Sequence, residues 1–157
     1  MAVNPEYLKT DQDNQVNNFR DWGIPLGRRF RALKLWFVLR NYGAEKLREM
    51  IRNHISLAKN FGTWVEESQQ WELLAPVPLN TVCFRWNPGQ CSEEKLDSLN
   101  KELLEAVNAE GTIYLTHTKL RGKFSLRVAV GQTATREKHV VQAWEKLNEV
   151  MKSLPSS

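Results

Sequence analysis

Thr112-Ile-Tyr-Leu-Thr-His-Thr-Lys-Leu-Arg-Gly-Lys-Phe-Ser-Leu-Arg-Val-Ala-Val130 alternates, turns once and alternates again. Ile113, Leu115 and His117 alternate with Tyr114, Thr116 and Thr118; Phe124, Leu126, Val128 and Val130 alternate with Ser125, Arg127 and Ala129. A period of two marks strands with one buried face. Lys119-Leu-Arg-Gly122 supplies the glycine that a tight turn needs. The stretch predicts an antiparallel hairpin of residues 112–118 and 123–130. Arg127 is a charge in the middle of an otherwise apolar strand and must point away from Leu126 and Val128. If that second face is covered, the guanidinium needs an anionic partner, and arginine is suited to gripping a carboxylate through two nitrogens. If the face is open, the residue is simply solvated.

Outward from the hairpin the period changes. Gly131 closes the second strand, and Thr133 or Thr135 can cap a last helix over about 136–152, with Val140, Val141, Trp144, Leu147 and Val150 inward. Upstream, Ser92 followed by Glu93 and Glu94 is a helix start with acids in its first turn. Leu96, Leu99, Leu103, Leu104 and Val107 give this helix its apolar face, and Glu110-Gly111 ends it. Residues 71–75 and 81–86 are strand-like runs separated by Pro76, Pro78 and Asn80. Residues 44–67 carry apolar side chains at spacings of three and four. His54 falls close to that stripe and reads as a core or interface histidine rather than a ligand. Residues 27–43 form a helix bounded by glycines, with Pro25 just outside its start. Leu35-Trp-Phe-Val-Leu39 is apolar around the whole circumference, which predicts burial on all sides. Arg28, Arg29, Arg31 and Lys34 crowd its first turns, against the helix dipole. Carboxylates elsewhere in the fold, or an anionic ligand, would satisfy them. The order of elements predicts an α+β domain: a small, mostly antiparallel sheet with helices on one face.

The 157 residues suffice for one domain with a hydrophobic core. A hydrophobic fraction of 41% and a charged fraction of 25% exclude a disordered chain. No apolar run is long enough to span a membrane, and the start lacks a secretory leader. A net charge of +4 is too mild and dispersed to argue for nucleic acid. Cys83 and Cys91 make neither a disulfide framework nor a metal site, and a reducing cytoplasm suits them. His54, His117 and His139 lack metal-ligand spacing. The sequence contains no Gly-rich phosphate loop and no Ser/His/Asp set. Residues 1–22 are polar and cannot supply a core face; a long stretch of this kind is functional or disordered. Two side chains stand out there. Tyr7 is a phenol in a polar segment, either packed at the root of a loop or placed for chemistry. Arg20, in Phe19-Arg-Asp-Trp22, is a structural ion-pair partner or a site residue.

Several segments carry a family resemblance. Asn4-Pro-Glu-Tyr-Leu-Lys9, and Phe19-Arg-Asp-Trp-Gly-Ile-Pro-Leu-Gly-Arg-Arg-Phe-Arg-Ala-Leu-Lys-Leu-Trp-Phe-Val-Leu-Arg-Asn-Tyr-Gly43, closely resemble the C-terminal part of the group II pyridoxal-phosphate-dependent amino acid decarboxylases. Aromatic-L-amino-acid, tyrosine, tryptophan and histidine decarboxylases belong to that group. The similarity continues through Leu79-Asn-Thr-Val-Cys-Phe-Arg85, Lys123-Phe-Ser-Leu-Arg127 and His139-Val-Val-Gln-Ala-Trp144. The family's cofactor lysine, in an Asn-x-His-Lys type motif, has no counterpart in this sequence, nor do its cofactor-contacting aspartate and ring-stacking histidine.

The resemblance implies a C-terminal fragment of such an enzyme, inactive alone. Residues 1–22 would be its mobile catalytic-loop segment, residues 23–70 two long helices joining large and small domains, and residues 71–157 the small domain of the aspartate-aminotransferase type (fold type I). It implies pyridoxal 5′-phosphate as cofactor, bound mainly by residues upstream, and the cofactor acts as an electron sink while the carboxylate leaves. It implies an amino acid substrate, the missing large domain as partner, and a homodimer. Tyr7 matches the loop tyrosine that protonates the substrate carbon after CO₂ leaves. Arg20 matches an arginine at the far end of that loop. Arg127 matches a strand arginine that holds a substrate carboxylate in the glutamate-decarboxylase relatives. The alternative is a stand-alone binding module that has kept the small domain without the chemistry.

Overall fold

The computed structural model describes residues 32–154. The chain divides into two compact units at Gly43 and Ala44. Of the first unit the described part is helix α1, Ala32–Tyr42. None of its residues is buried; Leu35, Trp36 and Phe37 are each more than half exposed. The expected burial on all sides is not what this chain presents: the side chains are apolar as read, but they meet solvent. Arg28, Arg29 and Arg31 lie outside the described residues, and Lys34 is exposed.

The second unit contains helix α2 (Ala44–Glu67), strands β1 (Trp71–Leu73) and β2 (Thr81–Trp86), helix α3 (Glu93–Glu110), strands β3 (Thr116–Leu120) and β4 (Lys123–Ala129), and helix α4 (Glu137–Ser153). The sheet has the order β1-β2-β4-β3, and every pairing is antiparallel. The register places Val82 against Val128 and Phe84 against Leu126. These side chains, with Trp71 and Trp86, face Leu57, Ala58, Phe61 and Val65 of α2, Leu99, Leu103 and Val107 of α3, and Val140 and Leu147 of α4 in one core. Three helices thus cover one face, as the α+β reading expects. At the centre, the rings of Phe61, Trp71, Phe84 and Trp144 meet with centroids 5.2–5.7 Å apart, at the tilted angles their quadrupoles favour. His54 is buried, and its Nε2 has no hydrogen-bond partner.

Local chemistry sets the ends of the elements. Ser92 caps α3, its hydroxyl accepting from the Lys95 N–H at 3.3 Å, and Gly111 ends the helix with φ +82°. The hairpin turn is tighter than expected. Leu120 pairs with Lys123, leaving only Arg121 and Gly122, with φ +51° and +83°. Positive φ at both central residues is what a type I′ turn requires. The first hairpin strand begins at Thr116, not residue 112. Leu115 is buried, but Asn108 takes its backbone out of the ladder: the Leu115 N–H donates to Asn108 Oδ1 at 2.8 Å, and Asn108 Nδ2 donates to the Leu115 carbonyl at 3.0 Å. Helix α4 is capped by Arg136 and His139 rather than by Thr133 or Thr135; the Arg136 N–H donates to His139 Nδ1 at 3.1 Å. Among the described residues no helix is long and apolar enough to cross a membrane.

A second side-chain amide ties the sheet to α3. Asn100 is fully buried; its Oδ1 accepts from the Trp86 N–H at 2.7 Å, and its Nδ2 donates to the Trp86 carbonyl at 2.8 Å. Asn100→Ala would strand one buried donor and one buried acceptor at ~1–3 kcal/mol each. We expect a loss of about 2–4 kcal/mol in urea unfolding. A loss below about 0.5 kcal/mol would show that water replaces the amide.

Candidate functional site

The strand period that buries Phe84 and Leu126 sends Arg85, Cys83, Ser125 and Arg127 to the other sheet face. Two arginines on this face have opposite surroundings. Arg85 is buried, its side chain only 3% exposed. Its Nε donates to Glu72 Oε2 at 2.7 Å; Nη1 and Nη2 donate to the two oxygens of Glu93 at 2.6 and 3.2 Å. Glu72 faces Arg85 across the β1–β2 pair, and Glu93 comes from the first turn of α3. Lys123 Nζ reaches Glu72 at 3.3 Å and Glu93 at 3.9 Å, and Asn87 Nδ2 donates to Glu72 at 3.1 Å. Glu93 raises the Arg85 pKa further, against the opposing effect of burial. Burial works to raise the Glu72 carboxyl, but hydrogen bonds from Arg85 and Lys123 outweigh it and leave the group below the ordinary carboxylate range. Every guanidinium nitrogen of Arg85 makes a hydrogen bond to a carboxylate, so this arginine locks β1, β2 and α3 together and its charge is already paired within the fold.

Arg127 is the opposite case. It is exposed, at the centre of β4, between Cys83 of β2 and Thr116 of β3 in the register. Its Nε donates to Thr116 Oγ1 at 3.0 Å. Among the described residues no carboxylate lies within ion-pairing distance of it. At Arg127 the face is open, as one of the two sequence readings has it, and the charge is available to an anion. Tyr7 and Arg20 lie outside the described residues, so their geometry relative to Arg127 is not described. Sequence reasoning missed the Arg85 cluster. Its only signal was a charge at position 85 in an apolar strand, since Glu72 and Glu93 become neighbours through pairing and topology.

Residues 1–87 match the conserved domain of pyridoxal-dependent decarboxylases. The chain belongs to that family. This decarboxylase-family chain is 48% identical over 151 residues to a phenylacetaldehyde synthase of Arabidopsis thaliana, covering 95% of this chain and 31% of that protein. It is 48% identical over 147 residues to tyrosine decarboxylase 2 of the same plant, covering 92% of this chain and 27% of that protein. Its fold superimposes on the crystal structure of Oryza sativa TDC with PLP and tryptamine, with a TM-score of 0.74 and 39% identity, over 96% of this chain and 32% of that one. The chain therefore spans about a third or less of the relatives it matches. The matched domain contains Tyr7 and Arg20; Arg127 lies beyond it.

Pyridoxal phosphate is the family's cofactor, and in enzymes of this kind it is held through a lysine that must present a neutral amine in a sheltered site. The described residues do not fit that role. No described lysine is buried. Lys123 and Lys146, the two that are partly sheltered, are both ion-paired, Lys123 with Glu72 and Glu93 and Lys146 with Glu110 and Glu149. Glu149 and Glu110 raise the Lys146 pKa, holding its amine protonated. Among the described residues no group of three or more His, Cys, Asp or Glu is placed to hold a metal ion.

The Arg85 cluster makes a pH-dependent contribution. A carboxyl whose folded pKa is depressed stabilises the fold above its unfolded value, and that contribution is lost as pH falls through the folded value. Glu72→Gln is expected to cost ~1–3 kcal/mol near neutrality, with the gap to the native protein narrowing as pH falls below the ordinary value of 4.5. Urea unfolding at pH 7 and pH 3 checks this. A gap of the same size at both pH values would mean that packing, not charge, carries the contribution of Glu72.

Proposed function

We propose that this chain is the C-terminal part of a pyridoxal-phosphate-dependent amino acid decarboxylase, a lyase that releases CO₂ from an L-amino acid and leaves the amine. One observation carries the proposal: near-half identity to members of this family along almost the whole chain, over less than a third of their length. The lysine that bonds to the cofactor is assigned to protein outside this chain, which leaves the chain inactive by itself. The exposed apolar side chains of α1 support the same reading, because an apolar surface of this kind calls for cover, and the rest of the enzyme supplies it. Residues 1–22 form the catalytic-loop segment, residues 23–70 join the large and small domains, and residues 71–157 are the small domain. The complete enzyme is a cytoplasmic homodimer.

Three residues of this chain act in the complete enzyme. Arg127 holds a carboxylate of the substrate. Arg20 stands at the far end of the loop segment, close to the reacting groups. Tyr7 delivers a proton to the substrate carbon from which CO₂ has left. After that departure the carbon has two fates: protonation, giving an amine, or reaction with dioxygen, giving an aldehyde. The names of the similar proteins include both a decarboxylase and an aldehyde synthase, so the names alone do not choose between them. The phenol does. A positioned general acid is worth ~10²–10⁴-fold, enough to decide the partition in favour of the amine.

In the full-length enzyme, Tyr7→Phe should keep measurable CO₂ release while product shifts toward aldehyde, with peroxide and ammonia formed alongside. Amine, aldehyde and oxygen uptake are measured on one sample. An unchanged amine yield would reduce Tyr7 to a tyrosine packed at the root of the loop.

A further inference from the structure

Arg127 reaches its site from a long, unbranched stem with many rotamers, and an exposed guanidinium on such a stem is a poorly aimed donor. A guanidinium can receive a carboxylate on two edges: side-on, through Nε and one Nη, or end-on, through both Nη atoms. Here the Nε–H is already committed to Thr116 Oγ1 at 3.0 Å. Neither Nη has a hydrogen bond among the described residues. Arg85, on the same sheet face, shows the contrast: its Nε and both Nη atoms are taken by Glu72 and Glu93. The neighbour that fixes Arg127 is also well chosen. Thr116 lies directly opposite it in the β3–β4 register. A β-branched side chain on a strand is restricted at χ1, so its hydroxyl oxygen is a fixed acceptor. A carboxylate at position 116 would have neutralised the guanidinium; a threonine orients it and leaves its charge unspent.

We propose that Thr116 is a positioning residue for Arg127. It holds the Nε–H, fixes the plane of the guanidinium, and leaves the two Nη atoms as an end-on fork for a carboxylate. The inference rests on the reading of Arg127 as the residue that holds a substrate carboxylate, and adds the residue that aims it and the edge that is used.

The test uses the whole 157-residue chain, labelled with nitrogen-15, with acetate as the carboxylate probe and chloride at matched ionic strength as the control. The side-chain signals of Arg127, assigned by their loss in Arg127→Gln, are followed in the native chain and in Thr116→Val and Thr116→Ser. Unchanged backbone amide signals of Phe124 and Leu126 confirm that each variant keeps the sheet. In the native chain the Arg127 Nε–H should exchange slowly with water, and acetate should shift the Nη signals. Thr116→Val removes the acceptor at nearly constant shape. It should speed the Nε–H exchange and weaken the acetate response by about tenfold, the worth of a hydrogen bond to a charged group. Thr116→Ser should restore both to within about twofold, as a hydroxyl at the same position can accept the same bond. A Thr116→Val chain that exchanges and binds like the native one overturns the positioning role and leaves the reading of Arg127 standing. A native chain whose Arg127 signals shift no more with acetate than with chloride overturns the carboxylate reading and the positioning role together.

Discussion

The antiparallel pairing of β2 with β4 is the constraint on which the rest of the second unit depends. It sets Val82 against Val128 and Phe84 against Leu126, and these four side chains belong to the core shared with α2, α3 and α4. Side chains alternate faces with a period of two, so the same register also decides what lies on the other face. A slip of β4 by one residue would turn Arg127 toward Phe61, Val65 and Leu103 and turn Leu126 away from them. The cost of burying an unpaired guanidinium makes that slip prohibitive. Arg127 therefore acts twice: its charge helps to fix the register, and the register presents it on the open face.

The two arginines of that face illustrate how a fold gives one residue type two opposite surroundings. Arg85 is paired with Glu72 and Glu93, and each of its three guanidinium nitrogens is engaged. Removing either carboxylate would leave a buried charge short of a partner, so this cluster resists change as a unit. Arg127 meets only a hydroxyl. Its charge lies open at the sheet surface, which is the condition for meeting an anion brought from outside.

Much of this was legible in the sequence, and the gaps have physical causes. Periods of two and of three to four gave the hairpin strands, α2, α3 and α4, because one-sided burial writes itself into the spacing of apolar residues. Ser92 and Gly111 were legible as ends of α3, because cap chemistry is local. The strand start at Thr116 was not: Leu115 has the right side chain for a strand, and the competing bond from Asn108 depends on how α3 comes to rest. The Arg136–His139 cap of α4 was missed because neither residue is a usual cap. The reading of α1 is answered only in part within this chain. Its composition was right, but burial needs something to be buried against, and Leu35, Trp36 and Phe37 meet solvent in this chain. Arg127 stood out by its oddity within a strand, and it is exposed on the sheet face. The Arg85 cluster was out of reach, since its three charged partners join only through the topology.

On the reading proposed here, the division of labour within the protein is sharp. This chain contributes a small-domain scaffold, a substrate-facing arginine and the loop segment with Tyr7, while the bond to the cofactor is made elsewhere. The most direct measurement is covalent trapping. The purified chain is mixed with pyridoxal phosphate, reduced with borohydride, and its lysines are mapped by mass spectrometry. With every described lysine unburied and the two partly sheltered ones ion-paired, labelling should be scattered and well below one cofactor per chain. Stoichiometric labelling of a single lysine, with the absorption band of an imine before reduction, would contradict the assignment of the cofactor lysine to protein outside this chain.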